Sequence, residues 1–336
     1  MLHELTCPPA TAEPRCLAVK RRWRCVGASL ALSAALIGLA GNCAANDASA
    51  IAPLAVKEVA AGVYVHAGAQ EDVSSANHGD VANIGFIIGE RCVAVIDTGG
   101  SIAVGQALRA SIRGLTKLPV CYVINTHVHP DHIFGNAAFR GDNPTFVGHA
   151  RLAAAMAGRG QNYLRALVRE VGASAADSEV IAPGLEVVDR LDLDLGGRVL
   201  KLTAWKTAHT DNDLTVFDPK TETLWLSDLL FVDRVPVVDG SLRGWLTAMA
   251  DLRQMNPRHV VPGHGGMDSP WPQILEPQQR YLSTLAADIR RALAERLTIQ
   301  QTVETAGNSE RSNWLLFDSF HRRNVAAAFA ELEWED

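Results

Sequence analysis

Cysteine is scarce where a scaffold or a thiolate metal site would need it. Of six cysteines, Cys7, Cys16, Cys25 and Cys43 crowd into the first 43 residues, leaving Cys92 and Cys121 for the rest of the chain. Two sulfurs exclude a disulfide-rich scaffold, and neither sits in a metal-binding motif. Basic stripes are also missing. Net charge is −6. Residues 1–50 set Arg15, Lys20, Arg21, Arg22 and Arg24 against Glu4, Glu13 and Asp47, so the remainder is the more acidic part. That excludes the electrostatic footprint of a nucleic-acid-binding protein. Beyond residue 50 there is no repeat, low-complexity tract or linker, which excludes a repeat array and argues against two separate domains.

The first fifty residues read as an address. Lys20, Arg21, Arg22 and Arg24 form a basic patch, Val26–Ala40 is uncharged and apolar, and Ala48-Ser49-Ala50 is a small-residue cleavage signature. This is the pattern of a secretory signal peptide, with an uncleaved anchor as the competing reading. Cys43-Ala44-Ala45 is a weaker cleavage site. The expected organisation is residues 1–50 as extension and leader, then residues 51–336 as one α/β domain ending in helices, located in the periplasm or secreted. In an exported chain, Cys92 and Cys121 either form a disulfide or stand as two buried thiols on adjacent strands.

Short β-branched runs alternate with amphipathic patterns. Strands are predicted over 62–66, 83–89, 93–96, 120–125, 186–189, 198–205, 214–217, 223–226 and 259–261. Helices are predicted from Ser101, a capping residue, to about 113, and over 148–170, 242–255, 272–295 and 313–332.

The chemistry concentrates in His127-Val128-His129-Pro130-Asp131-His132, directly after a predicted strand. Three imidazoles and a carboxylate within six residues supply metal ligands, but not a closed site. The partners recur further on, each where a strand gives way to a loop: His209, Asp228 in Leu226-Ser227-Asp228-Leu229, and His264 in Pro262-Gly263-His264-Gly265. In α/β proteins such loops collect functional residues at one sheet edge. Seven imidazole and carboxylate ligands exceed one tetrahedral site. They suit zinc, with iron or manganese as alternatives.

This order of residues resembles the metallo-β-lactamase superfamily over about 55–300. The resemblance implies an αββα sandwich of two mixed sheets flanked by helices. It implies His127, His129 and His209 as ligands of one metal, Asp131, His132 and His264 as ligands of a second, and Asp228 as the bridge. It also implies that Asp97 braces the ligand loop, and Asp131 can orient the nucleophile or relay a proton. Asp213 reads as a brace for the His209 loop. One main group of zinc β-lactamases has Cys where Asp228 stands and Lys where Phe231 stands, so the bridging Asp is closer to esterase-like members. The phrases Asn83–Gly89, Val95–Ser101, His209–Val216 and Arg234-Val235-Pro236 with Asp239-Gly240-Ser241-Leu242 resemble the quinoprotein relay system zinc metallohydrolases. Departures are Ser227 for a more usual Gly, and Lys206-Thr207 for Gly-Pro.

The expected activity is hydrolysis of an ester, thioester, lactone or amide in a small-molecule substrate, using two zinc ions. The alternatives are a zinc β-lactamase and a low-turnover accessory protein of a periplasmic quinoprotein redox partner. Arg234 is a candidate for a substrate carboxylate, against a solvated arginine or a structural ion pair. Trp245 reads as core. The 67–80 loop is either a substrate flap or an ordinary hairpin loop. His66, His149, His259 and His321 read as packing or surface residues.

Overall fold

The structure, a computed structural model, describes residues 51–335, so the basic patch, apolar segment and cleavage signature lie outside the described residues. Among the described residues, strands β1 (Lys57–Ala60), β2 (Val63–His66), β3 (Ile84–Ile88), β4 (Val93–Ile96), β5 (Val120–Ile124), β6 (Thr145–His149) and β7 (Leu185–Val187) form one sheet in that order. A second sheet holds β8 (Arg190–Asp194), β9 (Val199–Ala204), β10 (Leu214–Asp218), β11 (Thr223–Phe231) and β12 (His259–His264). Helices are α1 (Ile102–Leu115), α2 (Pro130–Ile133), α3 (Leu152–Ala155), α4 (Gln161–Val171), α5 (Leu242–Leu252), α6 (Glu276–Ala294), α7 (Ile299–Thr305) and α8 (Phe317–Leu332). None of these is long and apolar enough to cross a membrane.

The period of two in the strands builds the layers. Val93 and Val95 of β4 pack with Leu108 and Ile112 of α1, while Ala94 and Ile96 pack into the core between the sheets with Leu202 and Trp225. Leu224 and Leu226 of β11 point the other way, onto Trp245 of α5, Leu285 of α6 and Val325 of α8. A continuous apolar run is what a strand buried on both faces requires. Each such side chain contributes roughly 1.5–3 kcal/mol by leaving water. The outcome is the mixed two-sheet sandwich flanked by helices, and Trp245 is core.

Pairing decides where the chemistry collects. β4 and β5 run parallel, as do β11 and β12, so the C-terminal ends of each pair share an edge. At their opposite ends Cys92 and Cys121 are joined by a disulfide, with Cα atoms 5.7 Å apart.

Several elements differ from the sequence reading, among them β12, which runs on to His264, and the unpredicted helices α2 and α7. Strands β1 and β8 are sheet edges with charged, partly exposed positions, so no apolar run marks them. Strand β6 was not predicted; its last two residues, Gly148 and His149, fall in the helix predicted over 148–170, which is itself broken by a π turn over Met156–Gly160 before α4. β11 does not stop at Leu226. It continues through Asp228, with register shifts on either side of Ser227 (φ 47°). Asp228 is therefore on an irregular strand rather than in a loop.

Candidate metal centre

Strand β5 ends at Ile124, and Pro130 at the first turn of α2 fixes the return of the chain. The loop between them carries His127 and His129, and α2 carries Asp131 and His132. His209 precedes β10, Asp228 lies in β11, and His264 ends β12. All seven sequence-identified residues converge, in two groups.

In the first group, His127 Nε2 is 3.1 Å from His129 Nδ1, which is 2.9 Å from His209 Nε2. Asp228 Oδ2 closes the group at 3.3 Å from His209 Nε2 and 3.6 Å from His127 Nε2. In the second, His264 Nε2 lies 3.3 Å from Asp131 Oδ2 and 3.4 Å from Asp228 Oδ2. His132 Nε2 lies 3.7 Å from Asp131 Oδ2 and 3.1 Å from Asp228 Oδ1. Four donors tetrahedrally arranged around zinc stand about 3.3–3.6 Å apart, given bonds of ~2.0–2.2 Å. The spacings suit that geometry. A second observation agrees. His132 Nε2 and Asp228 Oδ1 are buried without a hydrogen bond, close but misaligned. Two orphaned donor atoms facing one point are what a cation would satisfy.

The nitrogens turned away are fixed by partners. His132 Nδ1 donates to Asp97 Oδ2 at 2.8 Å, His209 Nδ1 to the Val237 carbonyl at 2.7 Å, and His264 Nδ1 to the Val81 carbonyl at 2.7 Å. Because a carbonyl only accepts, these bonds leave the Nε2 atoms of His209 and His264 free to act as ligands. Asp97 sits just after β4 at φ 55°, a region Asp tolerates better than most residues, and also accepts from Thr126 N and Oγ1 at 2.8 Å each. Asp213 accepts from Thr210 N and Oγ1, bracing the His209 loop. Ser227, where the resemblance implies glycine, hydrogen-bonds Thr126 Oγ1 at 2.8 Å, with Asp97 Oδ2 3.2 Å away. Lys206 faces a separate groove beside Trp205 and Asp251 rather than the metal cavity.

Charge in the cluster follows burial and neighbours. Burial holds His127 well below the ordinary histidine range, with adjacent imidazoles adding to it. At His132 burial opposes the charged form, but Asp228, Asp131 and Asp97 overcome it and hold the proton on. Burial pushes the Asp213 carboxyl up to about 6, against the pull of His209 and Thr210.

Sequence reading missed three contributors. Asp239 accepts from His129 Nε2 at 3.1 Å, from Arg159 at 2.9 Å and from Arg323 at 2.8 Å. Burial opposes its ionisation, but the His129 hydrogen bond and the arginines hold it well below the usual carboxylate range. Asn83 spans the sheets, donating to the carbonyls of Pro262 and Gly265 at 3.0 Å each, and so clamps the turn that carries His264. Arg159 comes from the π turn that sequence periodicity could not reveal. The available signal was that Asp239 and Asn83 both fall within the longer phrases already singled out.

A cavity of about 660 Å³ opens above the two groups, walled by Tyr163, Phe231 and Val237, by Phe320 and Arg323 of α8, and by Arg234. Asp72 and Val73 of the 67–80 loop also line it, and Asp72 accepts from Ser319 Oγ of α8 at 2.8 Å.

A family model described as the metallo-beta-lactamase superfamily matches residues 79–264. Among solved structures, the chain is similar to a metallo-beta-lactamase from Pontibacter korlensis at 20% identity and a TM-score of 0.56, covering 68% of this chain and 99% of that one. It is similar to TMB-1 at 20% identity and a TM-score of 0.52, covering 69% and 98%. At such identities the likeness concerns the fold. No curated protein matches the chain.

Proposed function

The chain belongs to the metallo-β-lactamase superfamily, and from that premise we propose that it is an exported binuclear metallohydrolase acting on an ester, thioester, lactone or amide. Superfamily membership and the His/Asp cluster support a metal-dependent hydrolase in general. One observation carries the binuclear reading: two donor groups meet at Asp228, whose two oxygens face different imidazoles. His127, His129 and His209 would hold one ion, Asp131, His132 and His264 the other, and Asp228 both. Imidazole and carboxylate donors suit zinc, with iron or manganese as alternatives.

When bound, paired divalent ions supply a hydroxide nucleophile near neutral pH and a clamp for the developing oxyanion. The chain supplies the rest. Asp131 lines the cavity and can take the nucleophile's proton and return it to the leaving group. Asp97 fixes the ring of His132, and Asp239 that of His129, so neither ligand must reorient during turnover. The apolar wall of Phe231 and Val237 limits water at the reacting carbonyl. Export is supported by the leader pattern and by the Cys92–Cys121 disulfide, since disulfides persist in oxidising compartments.

The test is metal analysis of protein purified from the periplasm, then a screen of esters, thioesters, lactones and β-lactams. Two metals per chain with turnover of one acyl class is the expected result. Turnover surviving in metal-free His127→Ala/Asp131→Ala protein would sink the mechanism. A second reading, an accessory protein of a periplasmic quinoprotein system, is favoured by the longer phrases around Asn83 and Arg234. Metal loading with no turnover across the screen would favour it. Asp228 and Phe231, standing where one lactamase group has Cys and Lys, argue against the β-lactamase reading.

A further inference from the structure

The segment 235–240 belongs to no helix or strand, yet Val235, Val237 and Val238 are buried. Buried irregular backbone must still find partners for its N–H and C=O groups. Two of those groups serve the metal centre. The Val237 carbonyl accepts from His209 Nδ1 at 2.7 Å, and the Asp239 N–H donates to the His209 carbonyl at 3.2 Å, so the segment grips one ligand by ring and by backbone. On either side of Val237 a single side chain of α8 holds the segment in turn. Asn324 is fully buried, its Oδ1 accepts from the Val238 N–H at 2.9 Å, and its Nδ2 donates to the Pro236 carbonyl at 2.6 Å. One amide stands in for the neighbouring strand that this segment lacks. Packing does not require an amide there, since Phe317 and Ala328 on the same stripe of α8 are core residues.

The amide has one allowed orientation. His321 Nε2 donates to the Ala306 carbonyl at 2.8 Å, which leaves its Nδ1 as an acceptor. The Tyr281 hydroxyl donates to that Nδ1 at 3.0 Å, and therefore accepts from Asn324 Nδ2 at 2.9 Å. Burial holds His321 below the ordinary histidine range and raises the Tyr281 phenol, so the ring stays neutral and the hydroxyl keeps its proton. A flipped amide would set its NH2 against the Val238 N–H and its oxygen against the Pro236 carbonyl. The result is a directed chain of bonds from Ala306, through three buried side chains, to the peptide that orients His209. Such a network is stabilising only when every member is satisfied, and here each is.

We infer that Asn324 is a positioning residue of the metal centre: acting through Val237 it sets the ring of His209, and Tyr281 fixes its amide. The inference rests on the binuclear reading. It makes α8 part of the first metal group, although α8 contributes no ligand.

The test combines chelator competition on the zinc-loaded full chain with nuclear magnetic resonance of its ring N–H protons after ¹⁵N-histidine labelling. Asn324→Ala is expected to weaken by about tenfold the zinc step that Asp239→Asn weakens and to leave the other within about twofold, the low end for an outer partner because it acts one bond further away. The His209 Nδ1 proton should exchange with water faster by on the order of tenfold, as its local structure opens more readily. The His264 Nδ1 proton, bonded to the Val81 carbonyl, should be unchanged. Arg198→Met, which breaks the ion pair with Asp218 at the far edge of the sandwich, should move neither readout. Tyr281→Phe removes one hydroxyl and keeps the ring, and should shift the same step and the same proton by less. It decides the matter if Asn324→Ala does not fold. Zinc steps that are unchanged or fall alike overturn the proposal, as does a His209 proton that exchanges as in wild type. Neither readout needs a substrate, so a wild-type chain that cleaves no acyl compound fails the hydrolase reading and leaves the result standing. A wild-type chain that binds one zinc fails the binuclear reading, and the His209 proton alone then decides.

Discussion

The two edges of the sandwich are built on opposite rules. At the edge where β4, β5, β11 and β12 end, polar groups are buried and left short. His132 Nε2, Asp228 Oδ1 and Arg234 Nε have no partner, and Asp97 and Ser227 sit at positive φ. At the other edge the buried polar groups are paired. Arg198 donates to both oxygens of Asp218 and, across the sheets, to the Ile88 carbonyl at 2.9 Å. The disulfide joins β4 and β5 nearby in the chain. One edge holds unmet bonding capacity that a ligand can use, and the other holds the sheets together. Changes at the first should therefore alter metal binding and rate, and changes at the second should alter stability alone.

The largest effect separating the edges is expected at Asp228 and its neighbour Gly263. A Cβ on Gly263 would stand 1.9 Å from Asp228 Oδ1, so only glycine lets the turn carrying His264 close on that carboxylate. Gly263→Ala and Asp228→Asn should each reduce metal content and cut hydrolysis by on the order of 10³-fold or more. Asp228→Asn should also lower the stability of the metal-free protein to urea, since the Asp228 carboxylate there, though burial opposes its ionisation, is held well below the usual carboxylate range by the protonated His132 that it faces. Full metal loading in both variants would contradict the assignment.

At the opposite edge, Arg198→Met strands a buried carboxylate and should cost about 3–5 kcal/mol of unfolding free energy with metal content unchanged. The pH dependence has a definite sign. Burial opposes ionisation of Asp218, but Arg198 and Thr221 overcome it and lower its pKa in the folded protein. Its contribution is then complete above the unfolded value of about 3.9 and is lost as pH falls through the lower folded value. Acid unfolding curves should lose that component in Arg198→Met. Next in size, Cys92→Ser opens a crosslink spanning 29 residues of sequence and should cost about 2–4 kcal/mol. A loss of metal in either variant would erase the separation between edges.

The seven candidate ligands are legible in the sequence because each is an imidazole or a carboxylate close after an apolar run. Six of the seven stand in a turn, a strand terminus or the one-turn helix that follows the histidine loop. Asp228 was found by its type and misplaced by its backbone, since a strand that bulges at Ser227 reads as a strand that stops. Strands β1 and β8 were invisible because an edge strand exposes half its positions. The groups behind the ligands were harder still. Asp239 reaches His129 from 110 positions away, and the Val81 and Val237 carbonyls act through backbone that carries no side-chain signal. The isolation of Arg234 is a property of what does not surround it, which no motif can encode.

Asp239 gives the smallest and most discriminating test. Its carboxylate touches the first donor group through His129 alone and otherwise meets Arg159 and Arg323, while its backbone N–H donates to the His209 carbonyl and would do so in a variant too. Asn in its place keeps an acceptor for His129 Nε2 but removes the negative charge that makes the ring a better ligand. Loss of such a partner typically weakens metal affinity by about 10–100-fold. The second group, built from Asp131, His132 and His264, is braced by Asp97, which also accepts from Thr126 beside His127 of the first group. Competition with a zinc chelator should therefore show one of two binding steps weakened in Asp239→Asn, and the other step weakened most in Asp97→Asn. If both variants weaken both steps alike, the groups act as one unit joined through Asp228, and the braces cannot be assigned to separate ions.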